Sequence, residues 1–271
     1  MAYLIDFDDP GTFPEELRKW DDGLTSKIQN AMSVQCAQEQ ERNLRNLNLQ
    51  NEAIVLNFVE NHPDDEVVVY HCTRILNPDE YWRNGIVTGD GAGSVAEQRI
   101  KALLMDIGVQ QPKMDEIMQH VKNYWNRDKD TRTKVVHFFG DKNQAYINNQ
   151  INAFALNLGG ETLRWGLEDV DKELHKKEPY KRLWILGTPS IIKFKCKLSN
   201  ICQLDSPMLI AEIVKNYIVK DFTKISYDIG FTGKTKGPVP PEDIISIEEI
   251  KNFIEMQENE LDFQGFYNEL K

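Results

Sequence analysis

EVVVYHCTRILNPDEYWRNGIVTG, residues 66–89, decides how the rest of this chain is read. Val67, Val68, Val69 and Tyr70 form an apolar, strand-favouring run without clear alternation, the pattern of a strand buried on both faces. The run leads directly into His71, Thr73 and Arg74. Polar side chains at the C-terminal end of a buried strand commonly sit at the mouth of a cleft. His71 and Thr73 are two apart, so they share a face and offer it an imidazole and a hydroxyl. An isolated His at a strand end serves more often as a hydrogen-bonded structural residue. Asn77-Pro78-Asp79 then marks a turn, Tyr81 and Trp82 lie on a short amphipathic segment, and Gly85 follows it.

Taken as one string, Tyr70-His71-Cys72-Thr73-Arg74, the Pro-Asp turn, the aromatic pair and Asn84-Gly85-Ile86 resemble the first NAD-binding strand of ADP-ribosyltransferase-like proteins. That superfamily opens with a His followed two residues later by Thr or Ser, then a short helix and a Gly-Leu or Gly-Ile step. The resemblance implies an α+β fold: an ADP-ribosyltransferase-like split, mostly antiparallel β-sheet that binds NAD. It divides the chain into an N-terminal helical extension over 1–63 and a catalytic domain over 64–271. The chain lacks the Arg, Ser-Thr-Ser and Glu-x-Glu set of the arginine-modifying class and stands closer to the His-Tyr-Glu class.

A chain of 271 residues can bury one substantial core, or one catalytic domain with a helical extension. Hydrophobic content of 41% with 10% aromatics points to a folded chain rather than a disordered one. No stretch is apolar long enough to span a bilayer as a helix. The start, MAYLIDFDDPG, lacks the basic residues and apolar run of a signal peptide. Cys36, Cys72, Cys196 and Cys202 show no Cys-x-x-Cys or zinc-site spacing. The expectation is a cytoplasmic protein with reduced thiols and no metal.

The net charge of −11 is uneven: −9 over residues 1–70, −1 over 71–170, +6 over 171–240 and −7 over 241–271. Global acidity disfavours nonspecific nucleic-acid binding by long-range attraction. Within the basic band, Lys193, Lys195 and Lys197 alternate with Phe194, Cys196 and Leu198, giving one basic and one buried strand face. That face suits RNA or another anionic partner, or is simply solvated.

Residues 14–60 read as helical, with a first turn at Pro14-Glu15-Glu16 and then a helix capped by Thr25 or Ser26 that continues with Leu44, Leu47, Ile54 and Phe58 as a sparse apolar face. Helices are expected near 94–107, 113–126, 142–157 and 206–219. Strands are expected at 135–140, as two consecutive runs in 181–198 joined by Gly187-Thr188-Pro189, and at 226–232. Pro241-Glu242-Asp243 opens a last strand or helix. The glycine-rich 89–94 segment lacks a phosphate-binding signature and reads as a loop.

By the resemblance, Phe138, Phe139 and Tyr146 fall where a nicotinamide-stacking surface belongs; as residues alone they read as ordinary core. Gly159-Gly160 permits a turn that delivers Glu161 into an apolar neighbourhood, where a Gly-x-Glu stands in several such families. Glu161 serves equally well as a helix N-terminal acid, and Glu168 is the reserve candidate. The resemblance makes Glu161 the catalytic carboxylate. It puts His71 on a ribose, Thr73 and the backbone at Cys72 on the nicotinamide amide, and Tyr70 in the same binding strand. Arg74 is assigned to the pyrophosphate or to a structural salt bridge, and Tyr81 and Tyr146 to the flanks of the dinucleotide. The implied activity is mono-ADP-ribosyl transfer from NAD to a protein or nucleic-acid acceptor. Relatives of this kind serve as toxins in toxin–antitoxin or phage-defence systems, which implies a neutralising antitoxin partner. An NAD glycohydrolase using water as acceptor, or a non-enzymatic interaction protein, would carry the same residues.

Overall fold

The computed structural model describes residues 2–7, 9–18, 22–89, 93–127, 133–147, 153–223 and 231–251. It is an α+β protein with a six-stranded sheet. In chain order the described elements begin with β1 (Leu4–Ile5), α1 (Asp22–Met32), α2 (Ala37–Asn46), α3 (Ala53–Asn61), β2 (Glu66–Ile75) and α4 (Pro78–Asn84). Next come α5 (Val95–Asp106), α6 (Gln111–Arg127), β3 (His137–Phe139), α7 (Gln144–Ile147), α8 (Gly160–Val170) and α9 (Arg182–Ile185). The last are β4 (Thr188–Lys197), α10 (Asp205–Thr223), β5 (Thr232–Lys234) and β6 (Ile244–Glu249). The strand order is β5-β3-β2-β4-β6, with β1 paired to β2. β1 runs parallel to β2, and β4 runs antiparallel to β6 with a register shift at Lys193/Phe194.

Two compact units divide the chain. One comprises Met1–Val69, Phe139–Asp141 and Lys195–Lys234; the other comprises Tyr70–Phe138, Lys142–Phe194 and Thr235–Lys271. In the first unit, Asp65 forms the corner that launches β2. Its carboxylate accepts from the Tyr3 amide at 3.1 Å and lies 3.0 Å from His62 Nδ1, while its carbonyl accepts from the Leu198 amide at 2.8 Å. His62 in turn stacks on Phe58, with centroids 4.4 Å apart, and its Nε2 lies 2.8 Å from Glu16. The buried Lys215 of α10 pairs with Glu212 and donates to the Leu44 carbonyl at 3.4 Å. A buried ammonium is tolerable only with such partners.

In the second unit, Asn77 caps α4 by accepting the Asp79 amide at 3.0 Å, and Pro78 occupies the first turn, where no amide is needed. The helix ends at Gly85, whose φ of +70° admits no side chain cheaply; a Cβ there would lie 1.9 Å from the Val239 carbonyl oxygen. That close approach lets Ile86 and Val239 exchange backbone hydrogen bonds of 2.9 and 3.0 Å. α5 begins with a reciprocal cap: Ser94 Oγ accepts the Glu97 amide at 3.1 Å, and Glu97 Oε2 accepts the Gly93 amide at 2.6 Å. The Glu97 carboxylate is 3% exposed and pairs with Lys101 at 2.7 Å and Lys122 at 2.8 Å. α6 and α8 pack along each other through buried Ile117, Val121, Leu163 and Leu167.

The helices expected near 94–107, 113–126 and 206–219, and a strand after Pro241, are present. Three expectations need correction. Residues 14–60 are largely helical as expected, with a 3-10 turn at Glu15–Arg18, but the helix expected to start at Thr25 or Ser26 and continue through Phe58 is three separate helices, and Thr25 and Ser26 lie inside the first. Residues 182–185 form a helical turn, not a strand, closed by Arg182, Leu183 and Trp184 amides donating three residues back. A short apolar run is ambiguous between strand and helix, and here Pro179 at the head of the turn decides it. Of the helix expected over 142–157, the described residues show α-helix at Gln144–Ile147 and a 3-10 turn in its place at Ala153–Ala155; positions 148–152 lie outside the described residues. Most of the 226–232 strand and positions 90–92 of the 89–94 loop also lie outside them. Among the described residues no helix is long and apolar enough to cross a membrane.

The lysines hold the Glu97 carboxyl down to about 2. Because its folded pKa is depressed, the stabilisation is present above the unfolded value and is lost as pH falls through the folded one. Glu97→Gln should cost about 2–4 kcal/mol in urea unfolding at pH 7. The gap between variant and wild type should close progressively below about pH 4.5.

Candidate functional site

A cleft of about 370 Å³ opens within the second unit. Its walls come from residues 71–74 of β2, the Leu76–Tyr81 segment, 86–89, one face of α5, Trp125, 135–137, Phe154 and the 158–162 turn. The run before the cleft is buried as its apolar composition requires; at 71 and 73 exposure rises, while 70, 72 and 74 stay buried. Strand alternation therefore separates His71 and Thr73 from Tyr70, Cys72 and Arg74.

His71 Nδ1 lies 2.8 Å from the His137 carbonyl oxygen. A carbonyl can only accept, so Nδ1 carries the proton and Nε2 presents a lone pair. Burial drives the imidazole pKa down to about 4, against the opposing pull of that hydrogen bond, and the His137 ring adds to the lowering. His71 is thus neutral at physiological pH and acts as a hydrogen-bond acceptor. The Thr73 hydroxyl is hydrogen-bonded with Tyr81, whose phenol is pushed up by burial despite that bond and the nearby Arg99 charge. Tyr81 therefore stays protonated.

Cys72 is buried, and desolvation pushes its thiol well above the usual range, which leaves it a poor nucleophile. Arg74 lines the cleft but is 3% exposed. Its guanidinium donates to the carbonyls of Ala155 at 3.1 Å, Gly187 at 3.0 Å and Leu186 at 3.4 Å, fastening two loops. Tyr70 is buried outside the cleft lining, with the Lys193 ammonium 5.9 Å from its ring centre.

Glu161 reaches the cleft from the first turn of α8. Gly159 and Gly160 have φ of +83° and +70°, so the chain reverses in a conformation that other residues resist. The buried Asn157 amide donates to the carbonyls of Leu158 at 2.9 Å and Gly160 at 3.1 Å, fixing the turn. Glu168 is not in the lining; it pairs with Arg164 at 3.1 Å.

The structure brings His71, Cys72, Thr73, Arg74, Tyr81 and Glu161 to one cleft. It places Phe138, Phe139 and Tyr146 elsewhere: Phe138 packs edge-on against Phe194, Phe139 is buried in the first unit, and Tyr146 is half-buried on α7. The aromatic walls are instead Tyr81, Trp125 and Phe154. Of the basic strand face, Lys195 pairs with Glu66 at 3.1 Å and Lys197 with Asp64 at 3.6 Å, both in the first unit.

Sequence reasoning did not single out Arg99, Glu80, Asp106, Trp125 or Phe154. A signal for Arg99 existed. Ala96, Arg99, Ile100 and Leu103 fall on one helical face, so a charge interrupts an otherwise apolar stripe. Among the described residues no group of three or more His, Cys, Asp or Glu gathers as a metal site.

Burial of neutral His71 has a measurable consequence. Its folded pKa lies below the unfolded value, so between about pH 6.5 and pH 4 the unfolded chain binds the extra proton and stability falls as pH falls. Wild type should lose on the order of 2 kcal/mol across that window relative to His71→Asn, allowing for solvent at the half-buried ring. Parallel unfolding curves for the two proteins would contradict this. No protein-family model, curated protein or solved structure matches this chain.

Proposed function

We propose that the sheet is an ADP-ribosyltransferase-like one and that its cleft binds NAD for transfer of ADP-ribose to a macromolecular acceptor. The observation that carries the reading is the convergence of His71 and Glu161, ninety positions apart, on the same cleft. A volume of about 370 Å³, apolar walls and a few polar groups are the ordinary attributes of a small-molecule site.

Nicotinamide leaves the ribose through an oxocarbenium-like transition state in which positive charge develops at the anomeric carbon. Glu161 accepts a hydrogen bond from the ribose 2′-hydroxyl, and that bond strengthens as the charge grows, which lowers the barrier. His71, neutral and protonated at Nδ1, accepts a ribose hydroxyl at Nε2. Tyr81 and Thr73 form one polar patch, and Tyr81, Trp125 and Phe154 offer ring faces to the nicotinamide or adenine. Departure of nicotinamide breaks the C–N bond; an acceptor oxygen or nitrogen then bonds to the anomeric carbon and gives up its proton. The pairing of Lys195 and Lys197 with carboxylates favours a protein acceptor over nucleic acid. A toxin held in check by a neutralising partner is the biological setting this activity suggests.

The test uses NAD labelled in its adenylate phosphate, with the full chain and a mixture of cellular proteins and RNA. Label retained on protein or RNA supports transfer; free ADP-ribose alone means hydrolysis, and intact NAD means neither. Glu161→Gln should lower turnover by roughly 10²–10³-fold while NAD still binds. Glu168→Gln, outside the cleft, should turn over as wild type does.

A further inference from the structure

We infer that Arg99 on α5, not Arg74, takes the pyrophosphate of the bound dinucleotide. The identity of the ligand rests on the NAD reading; the anion-accepting character of Arg99 rests on its own surroundings.

The two guanidiniums of the cleft are held differently. Both have a buried Nη2 with no hydrogen-bond acceptor among the described residues, but Arg74 is 3% exposed and its Nε and Nη1 are committed to three backbone carbonyls that fasten separate loops. Turning it toward a ligand would break those bonds. Arg99 also lines the cleft, and about a quarter of its side chain is exposed. Among the described residues its Nη2 has no hydrogen-bond acceptor, and no backbone carbonyl holds the rest of the guanidinium as in Arg74. Its ion pair is a long one, 3.8 Å from Nε to Glu80 Oε2, and the Glu80 side chain is half exposed. The guanidinium otherwise rests 5.8 Å from the Tyr81 ring centre.

A guanidinium is always charged, and a buried N–H without an acceptor is costly. Arg99 therefore gives up little by turning from its seat toward an anion in the cleft, and an oxygen there would satisfy the nitrogen that now has no acceptor. Phosphate oxygens match the planar fork of donors in two-point contact. Three acids line the cleft, Glu80, Asp106 and Glu161. Glu80 is free to swing into solvent. Asp106 is seven residues along α5, about 10 Å by helical rise, and repels an anion seated at Arg99 only weakly across that distance. The Tyr81 ring, between Thr73 and Arg99, places the charge on the side of the cleft next to the His71–Thr73 face.

The experiment compares wild type, Arg99→Gln and Arg99→Lys in calorimetric titrations with NAD, inorganic pyrophosphate and nicotinamide riboside, which lacks phosphate. Arg99→Gln should weaken NAD and pyrophosphate by roughly tenfold or more and leave nicotinamide riboside unchanged. Arg99→Lys should fall between, because it keeps the charge and loses the fork. A melting temperature for Arg99→Gln equal to or above that of wild type supports a binding role, since the folded chain then loses an unsatisfied nitrogen rather than a structural bond. Equal NAD affinity in wild type and Arg99→Gln overturns the inference and leaves the NAD reading standing. Failure of wild type to bind NAD overturns the NAD reading, and with it the ligand named here. An equal loss of nicotinamide riboside and NAD also overturns the inference, because it marks a collapsed cleft rather than a lost anion contact.

Discussion

The hydrogen bond from His71 Nδ1–H to the His137 carbonyl, 2.8 Å long, is the constraint on which the cleft depends. It spends the ring's one proton on a fixed backbone acceptor and leaves the opposite nitrogen as a lone pair. Burial then keeps the ring neutral across the physiological range. Had the ring been solvated, it would titrate near neutrality and lose its acceptor for part of that range. The same strand step that exposes His71 exposes Thr73, and Thr73 holds Tyr81 of α4 by its hydroxyl. The cap at Asn77 and the stop at Gly85 make α4 short and definite, so Tyr81 has one place to be.

What could be read in advance follows from how local each signal is. β2 was legible because four adjacent strand formers precede a polar cluster, and the His71/Thr73 face follows from the two-residue period alone. α5, α6 and α10 carry long periodic faces with caps or terminal charges. The Gly159-Gly160 turn announced itself, since two adjacent residues at positive φ call for glycine. That the turn aims Glu161 into the cleft came from the resemblance and not from the residues alone, which read equally well as a helix N-terminal acid, because the aim depends on Asn157 reaching the Gly160 carbonyl and on the Leu158 amide reaching Leu183. The aromatic wall was misplaced for a related reason. β3 is three residues long, too short for alternation to show whether Phe138 or Phe139 faces the cleft, and neither does. β1, two residues long, carries no periodic signal at all.

Charge followed the same rule. The alternation of Lys193, Lys195 and Lys197 predicted one polar face of β4, and the strand has it. Composition could not reveal that Glu66 and Asp64 stand opposite two of those lysines. An ion-paired lysine has less to offer a phosphate backbone than a solvated one, because binding must first displace its carboxylate. The global acidity and the local pairing therefore point the same way, against long-range attraction of a polyanion.

The two walls of the cleft share one support, α6. Its Lys122 holds Glu97, the residue that anchors the start of α5 and so sets the course of the helix that carries Arg99. Its Trp125, one turn on, lines the cleft itself. Its buried face packs along α8, whose first turn bears Glu161. A carboxylate on a helix held in this way keeps its distance from the β2 face far better than one on an open loop, and the hydrogen bond proposed for it would tolerate little displacement. Changes deep in α6, such as shortening Ile117 or Val121, should therefore reach the cleft through α8 without touching any residue that lines it.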